Sequence, residues 1–280
     1  MNNFNLFLIV FFYSENSSIE NEELWPEDDA IKSKSFQFGN YSRYYGYRTN
    51  DPTSDDPRIE FFPRDCFENK IILDLGCNAG NVTIAIAKRF TPKHIYGVDI
   101  DLNLINSANN NLKMLYFKPD DKERLEYLNK TIGSIKGIPV HGLNNNDFPN
   151  NISFHVSNCV PKSNKEMLFD PQFDCILALS LTKWIHMNFG DSGLKRLFFR
   201  IYSQLKSNGV FILEPQNFES YRRKAKRNKH TLKVYEKIQF KPDQFEKFLL
   251  EKVGFKSCKF LGTPNNQSKG FQRPLLLFQK

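Results

Sequence analysis

No two of the five cysteines (66, 77, 159, 175 and 258) have C-x-x-C spacing, and their number is odd. Both facts argue against a disulfide framework and against a structural zinc site. The five histidines (94, 141, 155, 186 and 230) offer no H-x-x-x-H pair, so no metal site is expected. Long apolar runs are missing too. The strongest, Leu6 to Tyr13, has eight residues, whereas a bilayer-spanning helix needs about 20. It lacks the basic lead and small-residue cleavage site of a signal peptide, so a cytosolic or nuclear protein is expected. There is no internal repeat. Lysine and arginine are absent from residues 1–31, which hold seven acids, and residues 1–35 read as a mobile acidic tail.

What remains is ordinary globular composition. The chain has 280 residues, 40% of them hydrophobic and 25% charged, enough for a full core without staples. Its 27 phenylalanines are scattered through every segment and read as core filling. The net charge is +8, and residues 220–241 alone, with nine bases and Glu236, sum to that value. A positive charge so localised points to contact with a polyanion.

From residue 70 onward short apolar runs alternate with helical periodicity, the pattern of an α/β domain. Strands are expected at Lys70–Leu75, His94–Asp99, Ile152–Val156, Phe173–Leu179 and Val210–Leu213. Helices are expected at Val82–Phe90, Leu102–Tyr116 (Leu102, Ile105, Leu112 and Tyr116 inward), Gly193–Leu205 and Lys241–Val253. The Gly193 helix is read as closing at Ser207-Asn-Gly209. Residues 117–150 read as a surface insertion, and Phe255–Leu261 with Leu275–Gln279 as a closing strand pair. Five β/α steps favour a doubly wound sheet with its ligand at the carboxyl ends of the first two strands.

The strongest motif is Asp74-Leu-Gly76-Cys-Asn-Ala-Gly80, after a strand and before a helix. Gly76 allows a tight turn at positive φ, and Gly80 a close approach of the helix. Asp99 ends the second strand, 23 residues after Gly76, where a carboxylate can accept both hydroxyls of a ribose. A nicotinamide loop needs G-x-G-x-x-G, and Asn78 stands at its second glycine. The acid at Asp74 instead suits S-adenosylmethionine, which has no phosphate to cradle. A Rossmann-like domain without a ligand is the plainer alternative.

Five stretches, in order, carry a more specific resemblance: Phe38-Gly-Asn-Tyr-Ser-Arg-Tyr-Tyr-Gly-Tyr-Arg48, Asp74–Asn78, Leu179-Ser-Leu-Thr-Lys-Trp-Ile-His186, Leu213-Glu-Pro-Gln216 and Thr263–Pro274. Over residues 36–280 the chain resembles the bicoid-interacting-protein family of RNA methyltransferases. The resemblance implies a single class I S-adenosylmethionine-dependent domain, with a seven-stranded, mostly parallel sheet ending in an antiparallel pair. It further implies methyl transfer to the 5′ γ-phosphate of a small RNA. Tyr45 and Arg58 would close over the methionine end of the cofactor, Arg58 pairing with its carboxylate. Gly76, Cys77 and Asn78 would line the loop, Asp99 and Ile100 would hold the ribose and flank the adenine, Asn158 and Cys159 would meet the adenine edge, and Leu179 would lie under the sulfonium.

On the acceptor side the resemblance points to Tyr44, Arg48 and Lys183 as the residues that position the phosphate. The chain departs from the family pattern at Asn217 and Phe218, where the family has Pro and Trp. The basic run Arg222, Arg223, Lys224, Lys226, Arg227 and Lys229, with Tyr221 and Tyr235 beside it, suits an RNA backbone. The plainer readings are core packing for Tyr45, a surface ion pair for Arg58, a solvated lysine at 183, and a solvated helix or import signal for the basic run. His186 is read as structural. The expected partner is a small structured RNA with a 5′-phosphate end, with room for a ribonucleoprotein partner. The expected state is a monomer without membrane contact, in the nucleus or alternatively the cytoplasm. The rival functions are a 5′-monophosphate RNA methyltransferase of the same family, an RNA-retaining scaffold with secondary catalysis, and a small-molecule methyltransferase.

Overall fold

The computed structural model describes residues 38–39, 56–116, 148–226, 228–266 and 269–280. The acidic tail, most of the 117–150 insertion, Tyr44, Tyr45, Arg48 and Arg227 lie outside the described residues.

Seven strands form one sheet: β1 (Ile71–Leu75), β2 (His94–Asp99), β3 (Ile152–Val156), β4 (Phe173–Leu179), β5 (Leu205–Glu214), β6 (Ser257–Gly262) and β7 (Leu275–Gln279), in the order β3-β2-β1-β4-β5-β7-β6. The first five run parallel, and β7 is antiparallel to both β5 and β6. Successive strand residues point to opposite faces, which builds two apolar layers. Ile72, Ile95, Leu177 and Ile212 join Phe67 and Phe90 on one side. Leu73, Ile176, Phe211 and Phe278 join Phe198 and Phe245 on the other. Most of the described phenylalanines do fill the core, Phe169 and Phe260 being exposed: Phe198 lies 5.5 Å from Phe245, and Phe211 lies 6.0 Å from Phe278, between ring centroids.

The helices are α1 (Asn81–Phe90), α2 (Leu102–Tyr116), α3 (Thr182–Gln204), α4 (Glu219–Ala225), α5 (Lys229–Lys237) and α6 (Phe245–Phe248), which runs on into a π turn, Leu249–Val253. Three expectations need correction. Leu102 is 58% exposed; Leu104 and Ala108 face the sheet with Ile105, which is inward as expected, and the Tyr116 side chain lies outside the described residues. At about 100° per residue, the small Ala108 marks the centre of the inward stripe, and Leu102 lies roughly 120° away from it. The helix expected from Gly193 begins at Thr182 and breaks at Gly190 (φ 64, ψ −170). Its first half buries Thr182, Lys183, His186 and Asn188, and these polar residues hide its periodicity. Ser207-Asn-Gly209 does not close that helix: β5 already starts at Leu205, and its pairing with β4 shifts register between Phe173 and Cys175.

The strand order reverses between β1 and β4. Carboxyl ends that diverge at such a point leave a crevice, and the site lies there.

Candidate active site

The chain leaves β1 by turning at Gly76, at φ +72, where an added Cβ would come within 2.8 Å of Leu181. The Gly76 and Cys77 amides donate to Val98 O at 2.8 and 3.0 Å. Asn78 adopts φ 54, a left-handed conformation that asparagine tolerates, and its amide donates to Asp99 Oδ2 at 3.0 Å. The other oxygen of Asp99 accepts from the Asp101 amide at 3.0 Å, and burial pushes this carboxyl up from its ordinary value. The strand ends thus hold Asp99 in one orientation at the centre of the crevice.

The crevice has two joined compartments. One, about 550 Å³, is lined by Arg58, Asp74, Cys77, Asn78, Asp99, Leu179 and Ser180. The other, about 440 Å³, is lined by Ile100, Asn158, Cys159, Val160, Ile185 and Phe189. Phe38, Gly76, Asp99, Leu181 and Trp184 border both. Every cofactor residue expected from the sequence and described in the structure therefore meets here: Arg58, Gly76, Cys77, Asn78, Asp99, Ile100, Asn158, Cys159 and Leu179. Gly39, at φ +76, lies against the Trp184 indole where any side chain would collide with it. Phe38 and Gly39, which open the first of the five motifs, thereby border the crevice.

Arg58 is 1% exposed. Its Nε and Nη2 donate to the two oxygens of Asp56 at 2.8 Å each, and Nη1 donates to Glu214 Oε2 at 2.8 Å. Arg58 therefore reaches the crevice with two carboxylates already on it, and an incoming carboxylate would share the guanidinium. Asp74 lies in the same compartment. Burial pushes its carboxyl up to about 6, while the Thr83 hydroxyl (2.7 Å) and Arg58 pull it back down. One end of the crevice thus carries a fixed cation and a fixed acid, the pair that an amino-acid zwitterion requires.

Sequence reasoning alone gives Glu214-Pro-Gln216 no role. Glu214 Oε2 also accepts from Ser180 Oγ at 2.6 Å, and Ser180 sits at φ 60. Gln216 Oε1 accepts from Thr182 Oγ1 and the Lys183 amide at 3.0 Å each, and its Nε2 donates to Ser180 O. The end of β5 therefore locks the turn that follows β4. A signal for this exists in the sequence: an acid and an amide ending a buried apolar strand must find partners.

Lys183, on the first turn of α3, is 6% exposed. It does not line the crevice but stands between Leu181 and Trp184, which do. Its Nζ is 3.4 Å from Ser220 Oγ and 5.2 Å from the Trp184 ring centroid. No carboxylate pairs with it among the described residues. Burial, reinforced by the charges of Arg273, Lys224 and Arg223, brings its pKa down to about 7. Lys183 is thus no solvated surface lysine. His186, fully buried, gives Nε2 to Asp191 Oδ1 at 2.6 Å. Asp191 Oδ2 also accepts the Gln239 and Phe240 amides, so Asp191, held by His186 within α3, ties that helix to the chain leaving α5.

The described residues of the basic run lie on α4, just after it, and at the start of α5. Tyr221, Ala225, Thr231 and Val234 are buried, while Arg222, Arg223, Lys226, Lys229 and Lys233 are exposed. Phe218, one of the two departures from the family pattern, stacks on Tyr235 at 5.4 Å. The positive charge therefore lies on the outer side of a packed helix pair, and Arg223 and Lys224 bring part of it to Lys183.

A doubly wound sheet with this crevice, a glycine turn after β1 and an acid ending β2 define a class I S-adenosylmethionine-dependent methyltransferase domain. Residues 173–280 match the family described as Bicoid-interacting protein 3 (Bin3), and residues 72–137 match a methyltransferase domain. The chain is 37% identical over 277 residues to the human 7SK snRNA methylphosphate capping enzyme, covering 89% of this chain and 40% of that protein. It is 38% identical over 253 residues to the U6 snRNA methylphosphate capping enzyme of Drosophila melanogaster, covering 89% and 76%. To the RNA 5′-monophosphate methyltransferase of the rat it is 26% identical over 289 residues, covering 92% and 88%. The chain belongs to the Bicoid-interacting protein 3 family, and it spans about 40% of the length of the human relative.

Proposed function

We propose that this chain methylates the 5′ end of a small RNA, at an oxygen of the terminal phosphate of a 5′-triphosphate. The observation that carries this reading is Lys183: a buried amine surrounded by cations, at the border of the crevice, is an anion site. S-adenosylmethionine would supply the electrophilic methyl. Asp99 offers both its oxygens to ribose hydroxyls, Ile100, Cys159 and Phe189 form an apolar slot for a flat base, and Arg58 with Asp74 suits the charged amino-acid end. Tyr45 at the cofactor, and Tyr44 and Arg48 at the phosphate, belong to the same reading. A phosphate oxygen is already anionic near neutral pH, with a second pKa of about 6, so no general base is needed. Rate then comes from holding the acceptor in line with the methyl. The triphosphate branch is favoured because the methylphosphate capping enzymes stand at 37% and 38% identity, against 26% for the monophosphate enzyme. The first two are named for small nuclear RNAs, which supports the nucleus as the place of action.

The test incubates the protein with labelled S-adenosylmethionine and RNA bearing a 5′-triphosphate, monophosphate or hydroxyl. Label should enter the triphosphate RNA first. Preference for the monophosphate would assign the chain to the other branch, and label in none would refute the reading.

Two further outcomes are expected. Asp99→Ala should weaken cofactor binding by about 1.5–3 kcal/mol, the range for hydrogen bonds to a charged group. Unchanged affinity by calorimetry, with the fold intact, would remove Asp99 from the ribose. Replacing Arg222, Lys226 and Lys229 by Gln should flatten the salt dependence of RNA binding, by about 0.7 in slope for each lost contact to single-stranded phosphate. Cofactor affinity should not move. If RNA affinity at low salt also stays the same, the outer face of α4 and α5 is merely solvated.

A further inference from the structure

The last of the five motifs closes with Arg273 and Pro274, and Arg273 stands two residues before β7. Because β7 is antiparallel to β5, with Leu276 opposite Leu213, the chain entering β7 passes the carboxyl end of β5. Arg273 is thereby delivered to the same end of the sheet as the crevice. Its Nη1 donates to Ser180 Oγ at 2.6 Å, and its guanidinium lies 5.2 Å from the Phe271 ring centroid. Ser180 in turn donates to the fully buried Glu214. Arg273 is therefore anchored to a residue that lines the crevice beside Leu179.

It also faces Lys183 closely enough to be the foremost of the charges repelling that amine, ahead of Lys224 and Arg223. Folding has thus brought together cations from α3, α4 and the start of β7. Glu214 directs Oε2 to Arg58 and Ser180, and, of the described residues, no carboxylate stands among the charges that act on the Lys183 amine. Clustered cations around a buried amine are unfavourable until an anion enters. An arginine fork and a lysine point charge are the complementary pair for a phosphate with several oxygens.

We propose that Arg273 is a further ligand of the acceptor phosphate beside Lys183, held by Ser180 and through it by Glu214, and that it selects 5′ ends carrying more than one phosphate, an inference that rests on the methyl-acceptor reading above. Ser180 is then a positioning residue, acting through Arg273.

The test compares wild type, Arg273→Met, Arg273→Lys and Ser180→Ala on RNA with 5′-triphosphate, monophosphate or hydroxyl ends. Equilibrium binding is measured on all three RNAs, and KM and kcat on the two that carry a 5′ phosphate, alongside cofactor affinity and Tm. Arg273→Met should raise Kd and KM for triphosphate RNA about ten- to 100-fold, the scale of one or two lost charge-assisted contacts. The effect on monophosphate RNA should be smaller and that on hydroxyl RNA close to nil. Arg273→Lys should recover part of the affinity. Ser180→Ala keeps the charge but loosens it, and should lower kcat on triphosphate RNA more than it raises KM. Equal losses on all three ends, or an unchanged triphosphate preference, would overturn the assignment and leave Arg273 a structural partner of Ser180. Should Arg273→Met not fold, the lysine and Ser180 variants decide the same question by the same criteria. Binding reads Arg273 without turnover, so a wild type that binds triphosphate RNA but labels none would refute the methyl-transfer reading alone.

Discussion

Arg58→Met should destabilise the fold by about 3–5 kcal/mol, the scale for removing one partner from a buried ion cluster. Arg58 answers Asp56 and Glu214 directly and lowers the pKa of Asp74, and all three acids are buried. Without the guanidinium these carboxylates must share the interior uncompensated or take up protons. The pH dependence follows. In the variant their folded pKa values rise above the unfolded ones, so the folded state holds more protons than the unfolded state. Such groups spare stability at pH below the unfolded carboxylate range and lose it as pH climbs through the raised values. The deficit against wild type should therefore be larger at pH 8 than at pH 5, in denaturant melts at both. Adding Glu214→Leu to Arg58→Met should recover part of the loss, since an apolar replacement of a buried pair is often neutral. Arg64→Ala serves as the contrast: Arg64 pairs with Glu68 on the surface, and no measurable change is expected. A small, pH-independent effect of Arg58→Met would mean that the acids are solvated and the cluster open.

The strands were legible for a local reason. The runs at His94–Asp99, Ile152–Val156, Phe173–Leu179 and Leu275–Gln279 are short and apolar, and β2, β3, β4 and β7 have those same bounds. The turn at Gly76 and the acid at Asp99 were legible because a glycine-rich turn between strand and helix leaves few geometries. What stayed hidden depends on distant partners. Arg58 and Glu214 are 156 residues apart and Ser180 and Arg273 are 93 apart; Asp56 stands two residues from Arg58, but nothing near either arginine in the chain marks its burial or its distant partner. The same limit concealed the first half of α3, where Thr182 and Lys183 are buried because Gln216 and the residues around Ser220, more than 30 residues on, receive them. The pair α4 and α5 was read as a charged run because its buried side rests on only a few residues, Tyr221, Ala225, Thr231 and Val234.

Lys183→Met should lose function and gain stability, a combination that a merely structural lysine would not give. Methionine keeps much of the length and the apolar stem, so packing on Trp184 survives while the cation goes. Losing a desolvated charge-assisted contact of about 1.5–3 kcal/mol should lower activity on 5′-triphosphate RNA roughly ten- to 150-fold, with a smaller loss on the monophosphate and cofactor affinity unchanged. The gain in stability has a definite pH window. Burial and three neighbouring cations hold Lys183 at about 7 in the folded protein, against an ordinary value of 10.5. Between those values the unfolded chain binds the extra proton, so wild-type stability rises with pH through the window and is at its lowest at or below pH 7. The variant has no such proton. Its advantage in Tm should be greatest near pH 6 and fade as pH approaches 10. Phosphate binding reverses the preference, because an anion favours the charged amine. Wild-type affinity for triphosphate RNA should therefore weaken as pH rises above 7, with proton uptake visible in calorimetry across buffers of different ionisation enthalpy, while Lys183→Met shows neither. Equal activity losses on both RNAs would move Lys183 from the terminal phosphate to general RNA docking. A variant no more stable than wild type at pH 6 would mean that the amine is not held dry among cations, and the anion site would lose its physical basis.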